Sequence, residues 1–185
     1  MSLHKIPYIH IYEEHPFTTE TLHKTFTLLE EYCDSFSLMQ AYWYNTNPIL
    51  KNELLPYRTA QYQTTHWFCY DMLETEPLQV SLYPVCTQTK EILNRLFYPY
   101  HIYFDVDLRK TSIPDLEDLC FFKDGELVFG SVAHESIFYL YSEDEALIKA
   151  MLQIYPYWEK ADEEFARRSK PEHIRLKDYQ NCIIG

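Results

Sequence analysis

Alternation of polar and apolar side chains predicts β-strands along much of the chain, and residues 101–108 show it most regularly. His101, Asp105 and Asp107 fall on one face of this segment, and every alternate position is apolar. A strand with one buried and one solvated face has this pattern. Further strands are predicted where aromatic and β-branched residues alternate or cluster, at residues 6–12, 36–45, 66–72 and 78–84.

A β-meander is predicted in the last third of the chain. Residues 119–122 and 126–133 are apolar runs that flank the sequence Lys-Asp-Gly at 123–125. Asp-Gly is a strong hairpin signal, because both residues can adopt positive φ in a two-residue turn. Residues 137–141 supply a third strand, which follows a polar turn at residues 134–136.

Helical periodicity and capping residues predict the helices. The first helix begins after Thr18, a residue type that caps helices well. A second helix follows a cap at Thr87 and ends before Pro99. The sequence Ser-Glu-Asp-Glu at 142–145 is a capping box for a third. Residues 157–168 predict a last helix, which is acidic at its start and basic at its end, as the helix dipole favours.

The order of these elements predicts an α+β fold. Strands follow strands in the sequence, without the regular alternation with helices that produces a parallel sheet. We therefore expect a mainly antiparallel sheet with helices packed on one face, which ends in a β-meander followed by two helices. The length suits a single globular domain over residues 1–185. Residues 48–65 contain turn signals and are expected to form an irregular excursion with a short strand near Tyr62.

Composition excludes several kinds of site. The chain has 3 glycines and 17 tyrosines. Loops that cradle phosphate groups need glycine, because their backbone adopts unusual φ and ψ values close to the ligand. A nucleotide-binding loop of this type is therefore excluded, and no cofactor is expected.

The 5 cysteines show no C-x-x-C spacing, which predicts reduced thiols and no zinc ribbon, so no metal is expected.

The chain is acidic, with a formal net charge of −12. Residues 1–159 alone carry a net charge of −13. Nucleic-acid affinity comes largely from Lys and Arg that displace counterions, so binding of DNA or RNA is disfavoured. No apolar run approaches the roughly eighteen residues of a membrane span, and the first residues lack the hydrophobic stretch of a secretory signal. We therefore expect a cytoplasmic protein without a membrane partner.

Two polar clusters are candidates for chemistry. His101, Asp105 and Asp107 could begin a cation or catalytic site if another element supplied further groups. The polar face of a half-buried strand has the same composition, and this simpler interpretation carries more weight. His134 and Glu135 lie in the turn within the meander, where a histidine near a carboxylate could act as a general base. A polar turn between two apolar strands is again the simpler interpretation.

Aromatic residues beside prolines predict a contact surface. Tyr98 and Tyr100 flank one proline, and Tyr155, Tyr157 and Trp158 surround another, each time at the junction of two predicted elements. Part of each ring is expected to be exposed to solvent at such junctions, and tyrosine and tryptophan are enriched in binding surfaces.

The sequence thus favours a non-catalytic protein that binds another protein or a small ligand through an acidic, aromatic surface. One form of this function is immunity-like neutralisation of a basic protein, because complementary charge speeds encounter. The alternative is a hydrolase or metal-assisted enzyme that uses His101, Asp105 and Asp107, or His134 and Glu135. A third hypothesis is a homo-oligomer in which residues 155–158 form a symmetric contact.

Overall fold

The computed structural model describes most of the chain: residues 7–10, 17–41, 46–100, 113–135, 137–162 and 174–184. The strands in these ranges are β1 (Tyr8–His10), β2 (Ser35–Gln40), β3 (Thr46–Asn47), β4 (Ala60–Thr64), β5 (His66–Trp67), β6 (Tyr70–Asp71), β7 (Leu78–Pro84), β8 (Ile113–Pro114), β9 (Leu116–Lys123), β10 (Glu126–Val132), β11 (Ile137–Leu140) and β12 (Trp158–Lys160). The α-helices are α1 (Thr19–Tyr32), α2 (Ile49–Leu54), α3 (Thr87–Leu96) and α4 (Glu145–Ile154). Short 3₁₀ helices occupy Leu55–Tyr57, Tyr98–Tyr100, Ala133–Glu135 and Leu176–Cys182.

Eight strands form one antiparallel sheet in the order β12-β1-β11-β10-β9-β2-β7-β4. The predicted meander lies at its centre, where β9, β10 and β11 are adjacent and β2 pairs with the other side of β9. The fold is therefore α+β with a mainly antiparallel sheet, which confirms the prediction.

The turn between β9 and β10 has the predicted conformation. Asp124 has a φ of 52° and Gly125 a φ of 75°, and a two-residue hairpin turn with positive φ at both positions matches the twist of its strands. The N–H of Asp124 donates a hydrogen bond to the carboxyl group of Asp34 at 2.6 Å. This bond ties the turn to the connection between α1 and β2.

The four α-helices of the described ranges pack on one face of the sheet. The first begins as predicted, since the hydroxyl of Thr18 accepts a hydrogen bond from the N–H of Thr21 at 3.1 Å. The helices share an apolar core with sheet residues that include Phe121 and Phe129. Their contribution to this core is Leu22, Phe26, Leu29, Leu50, Leu54, Ile92, Leu93, Leu147 and Met151. Within the described ranges, no helix has the length and apolar character needed to cross a membrane.

Different elements cover the opposite face of the sheet. Trp67 from the β5–β6 hairpin and Ile174 and Leu176 from the C-terminal segment join Phe122 of β9 in a second apolar core. Both faces of β9 are therefore buried. A strand that is buried on both faces does not need polar residues at alternate positions, which explains the run of apolar side chains before the Asp-Gly turn.

Two helix starts differ from the prediction by one or two residues. Cys86, and not Thr87, is the N-cap of α3, and its own N–H donates to the hydroxyl of Thr89 at 3.0 Å. Asp144 is the N-cap of α4, because its carboxylate accepts hydrogen bonds from two N–H groups of the first turn. The hydroxyl of Ser142 instead accepts a bond from the N–H of Asp144 at 3.1 Å.

The helix predicted from residue 157 is wrong at its beginning, where the chain forms β12 alongside β1. The extended backbone brings Trp158 into the core, with its ring centroid 5.7 Å from that of Phe17. Long-range strand pairing and burial of an indole thus outweigh the local charge pattern. Residues 163–168 of the predicted helix, and the whole strand predicted at 101–108, lie outside the described residues.

Residues 66–72 form the β5–β6 hairpin and not one strand. The chain reverses direction at Cys69, which has a φ of 59°. No periodicity in the sequence predicts this conformation. Residues 48–65 contain the predicted strand at Tyr62, which is β4, and in addition the short helix α2.

A carboxyl group, that of Glu30 on α1, is buried in the helix layer. It is 6% exposed and accepts a hydrogen bond from the hydroxyl of Tyr98. Burial raises the pKa of Glu30 above its ordinary value of 4.5, although the Tyr98 hydroxyl and the nearby Lys90 and His23 act in the opposite direction. The folded protein therefore favours the neutral acid more strongly than the unfolded chain does.

We expect Glu30→Gln to gain stability relative to the wild type as the pH rises. Because the folded pKa is raised, the stability that the neutral acid contributes is present below about pH 4.5 and is lost as the pH rises through the folded value. Glutamine keeps an acceptor for Tyr98 without a charge to bury. Urea unfolding of both proteins between about pH 4 and pH 8 measures the difference in free energy of unfolding. A difference that does not change with pH would show that Glu30 does not titrate in this way.

Candidate functional site

The structure places the predicted catalytic residues only in part. His101, Asp105 and Asp107 lie outside the described residues. His134 and Glu135 belong to the 3₁₀ helix between β10 and β11. The side chain of Glu135 is exposed, and that of His134 lies outside the described part of the structure. The general-base pair inferred from the sequence therefore remains a hypothesis.

The predicted aromatic surface is corrected at three of its five positions. Tyr98 and Tyr155 are each 5% exposed and Trp158 is 4% exposed, so these rings belong to the core. Tyr157 is 43% exposed and can contact a partner. Tyr100 ends a 3₁₀ helix, and its side chain lies outside the described part of the structure.

Ring stacking explains why Tyr98 and Tyr155 are buried at these junctions. The ring of Tyr98 stacks on Phe26 of α1 with 4.9 Å between centroids, and that of Tyr155 stacks on Phe17 at 4.3 Å. Stacked aromatic pairs bury large apolar areas and stabilise the fold beyond that burial. Tyr98 and Tyr155 therefore belong to the core of the helix layer and not to an exposed surface.

An acidic groove lies at another place, where three elements distant in the sequence meet. It has a volume of about 360 Å³ and lies between the end of α1, the β9–β10 turn and the start of α4. Four of its described lining residues are acidic and one is basic. The lining consists of Tyr32, Lys123, Asp124, Glu126, Val128, Tyr141, Ser142, Glu143 and Asp144.

The aromatic wall of the acidic groove already holds an ammonium group. The Nζ atom of Lys123 lies 3.7 Å from the centroid of the Tyr32 ring, within the range of a cation–π interaction. The carboxylate of Asp144 lies close enough to the Tyr32 hydroxyl to affect its ionisation. Burial and this carboxylate raise the pKa of Tyr32, so the phenol remains a neutral donor. The groove therefore combines a π face with a fixed carboxylate, a combination that suits a cation.

Three of the four carboxyl groups of the acidic groove, those of Asp124, Glu143 and Asp144, are exposed. Hydrogen bonds from the N–H groups of Leu147 and Ala146 hold the pKa of Asp144 below its ordinary value. Asp124 and Glu143 are exposed at the rim. Carboxylates beside an aromatic ring attract ammonium and guanidinium groups through charge and through the ring quadrupole. The acidic groove is therefore chemically complementary to a lysine or arginine side chain.

A second polar cluster joins the β5–β6 hairpin to the meander. Asp118 is 4% exposed, and its side chain accepts a hydrogen bond from the hydroxyl of Tyr70 at 2.5 Å and another from the N–H of Ala133 at 3.0 Å. Its φ of 54° coincides with a register shift between β2 and β9. Burial, Asp118, Glu117 and Glu135 raise the pKa of Tyr70. Tyr70 therefore remains protonated, and the cluster functions as a structural clamp.

Two further observations bear on other site classes. In the described part of the chain, no group of three or more histidine, cysteine or acidic residues could hold a metal ion. A shallower groove of about 620 Å³ follows α3 and is lined by Lys90, Glu91 and Arg95 among others. Arg95 pairs with Glu53, so the positive charge of this second groove is largely neutralised within the protein.

The acidic groove was not among the sites inferred from the sequence. Its residues come from positions 32, 123–128 and 141–144, which no local pattern connects. The Asp-Gly turn and the acidic residues at the start of α4 were visible in the sequence, but they indicated structure and not binding.

Comparison with known protein families, with curated proteins and with solved structures finds no match to this chain.

Proposed function

We propose that this chain is a non-catalytic binding protein for a basic protein partner, and that the acidic groove receives a lysine or arginine side chain of that partner. Neutralisation of a basic toxin, as an immunity protein performs it, is one form of this function. The sequence-based hypothesis of an acidic, aromatic surface is kept, with the acidic groove replacing most of the predicted tyrosines.

The observation that carries the proposal is the position of Lys123. Its Nζ atom lies 3.7 Å from the centre of the Tyr32 ring, and its charge acts on the carboxylate of Asp144. The position of this internal ammonium group supports a groove that accommodates a basic side chain. A guanidinium group would suit the same surroundings, because arginine stacks on aromatic faces and binds carboxylates with two parallel hydrogen bonds.

The charge of the whole chain supports the same partner class. A net charge of −12 attracts basic proteins and repels acidic ones. Complementary charge mainly increases the rate of association and the choice of partner, whereas a ring and a carboxylate in a groove anchor the complex. The acidic groove supplies both features in one place.

Neutralising the rim of the acidic groove is expected to weaken binding of an arginine hexapeptide about fivefold to tenfold, because each exposed ion pair contributes up to about 1 kcal/mol. The variant is Asp124→Asn with Glu143→Gln. Asparagine tolerates the positive φ at position 124, so the turn is retained. Isothermal titration calorimetry at low salt measures the dissociation constant.

The matched control is Glu159→Gln with Asp162→Asn, which removes the same charge from two exposed positions beside β12. The control should change the affinity less than about twofold, since screened charges far from the groove contribute little. Equal losses in both double variants would mean that the peptide responds only to net charge, and the proposal would then fail. Absence of binding to the wild type at low salt would also contradict it.

A further inference from the structure

The C-terminal strap, residues 174–184, lies across the second face of the sheet, and main-chain hydrogen bonds attach it at both ends. At one end, the N–H of Leu127 donates to the carbonyl of Ile174 at 2.9 Å, and the N–H of Leu176 donates to the carbonyl of Gly125 at 2.8 Å. At the other end, the N–H of Ile184 donates to the carbonyl of Gln61 at 2.8 Å. The strap therefore bridges the Asp-Gly turn and the outer edge of β4.

The strap covers an aromatic part of the second core. The ring of Tyr179 lies edge-on to Trp67 with 4.9 Å between centroids, and edge-on to Tyr62 at 6.4 Å. Trp67 and Tyr62 are buried, and they stack on each other at 5.8 Å. Without the strap, this pair and the edge of β4 would face solvent.

Most of the strap's described side chains are not buried. Two of its side chains, Ile174 and Leu176, are buried, whereas six are exposed. Its middle is a 3₁₀ helix, whose hydrogen bonds have poorer geometry than those of an α-helix. Segments with few buried apolar contacts open locally at a lower free energy than the strands of a core sheet. The helix layer, in contrast, packs on the opposite face and makes its own core.

We propose that the C-terminal strap detaches from the sheet as one unit while the eight-stranded sheet and its helix layer remain folded. Detachment uncovers the Tyr62 and Trp67 rings together with the outer edge of β4. The strap is thus a cover with two states, and this inference is independent of the acidic groove.

Hydrogen exchange followed by mass spectrometry on the full chain tests the proposal. The amides of the strap should exchange together and at least about a hundredfold faster than those of β9 and β10, which report global unfolding. Leu176→Ala should accelerate exchange of the strap by a further tenfold or so, because it removes a buried side chain that anchors one end. Exchange of β9 and β10 should accelerate by a similar factor, because global unfolding includes detachment of the strap.

The matched control is Leu147→Ala in α4, which empties a buried position on the opposite face. It should accelerate exchange of β9 and β10 and leave exchange of the strap unchanged, because the helix layer remains folded when the strap detaches. If the wild-type strap exchanges as slowly as β9 and β10, or if Leu147→Ala accelerates both regions equally, the strap unfolds only globally and the inference is wrong.

Discussion

Replacing Asp118 by alanine is expected to lower the free energy of unfolding by about 3–5 kcal/mol, because one buried and one partly buried donor lose their acceptor and alanine tolerates the left-handed backbone less well. The two donors are the hydroxyl of Tyr70 and the N–H of Ala133. The alanine side chain must also adopt the φ of 54° that residue 118 requires. Urea denaturation monitored by circular dichroism gives the free energy.

Two further variants separate the contributions at this position. Asp118→Asn retains an acceptor and a residue type that tolerates positive φ, so its loss should be about half that of the alanine variant or less. Tyr70→Phe removes one donor and should cost about 1–2 kcal/mol. A loss of less than about 1 kcal/mol for Asp118→Ala would mean that the clamp contributes little to stability.

Replacing Gly130 by alanine should cost about 2–3 kcal/mol through overpacking. A Cβ atom on Gly130 would lie 2.7 Å from two atoms of the Phe68 ring, well inside contact distance. Phe68 is 1% exposed and packs edge-on against Tyr139 at 5.6 Å, so the ring cannot turn away without leaving its site. Thermal and urea unfolding measure the loss.

A double-mutant cycle shows whether the ring is the cause. Phe68→Ala alone should cost about 3–5 kcal/mol, because it empties a buried aromatic site. In the Phe68→Ala background, Gly130→Ala should cost almost nothing, which gives a coupling of more than about 1 kcal/mol between the two positions. If the two losses add within about 0.5 kcal/mol, the close approach of the Phe68 ring is not the reason that position 130 requires glycine.

Local signals in the sequence predicted the parts of the fold that local forces determine. The Asp124-Gly125 turn and the Thr18 cap are confirmed, because a turn or a cap depends on a few adjacent residues. The strand β12 and the hairpin reversal at Cys69 were missed, since strand pairing with β1 and packing of Trp67 against the sheet involve residues far away in the sequence. Burial of both sheet faces was not predicted. The apolar run at residues 119–122 of β9 is a sequence pattern that such burial produces.

The candidate site could be anticipated only as a class of surface. Net charge and tyrosine content indicated an acidic, aromatic contact surface, but the position of each ring depends on tertiary packing. Tyr155 lies beside a proline and yet stacks on Phe17, whereas Tyr32, in an ordinary helical context, forms the wall of the acidic groove. The contact between Lys123 and Tyr32 joins residues 91 positions apart, which no motif connects.

Emptying the aromatic wall of the acidic groove tests the central claim most directly. Lys123→Met removes the internal ammonium group from the Tyr32 ring, and Lys149→Met removes the same charge from an exposed position on α4. Calorimetric titration with the arginine hexapeptide should show about tenfold tighter binding for Lys123→Met and less than about twofold for Lys149→Met, because a vacated π face adds a cation–π contact to the change in charge. Equal affinities of the two variants would contradict the assignment of the groove as a site for a basic side chain.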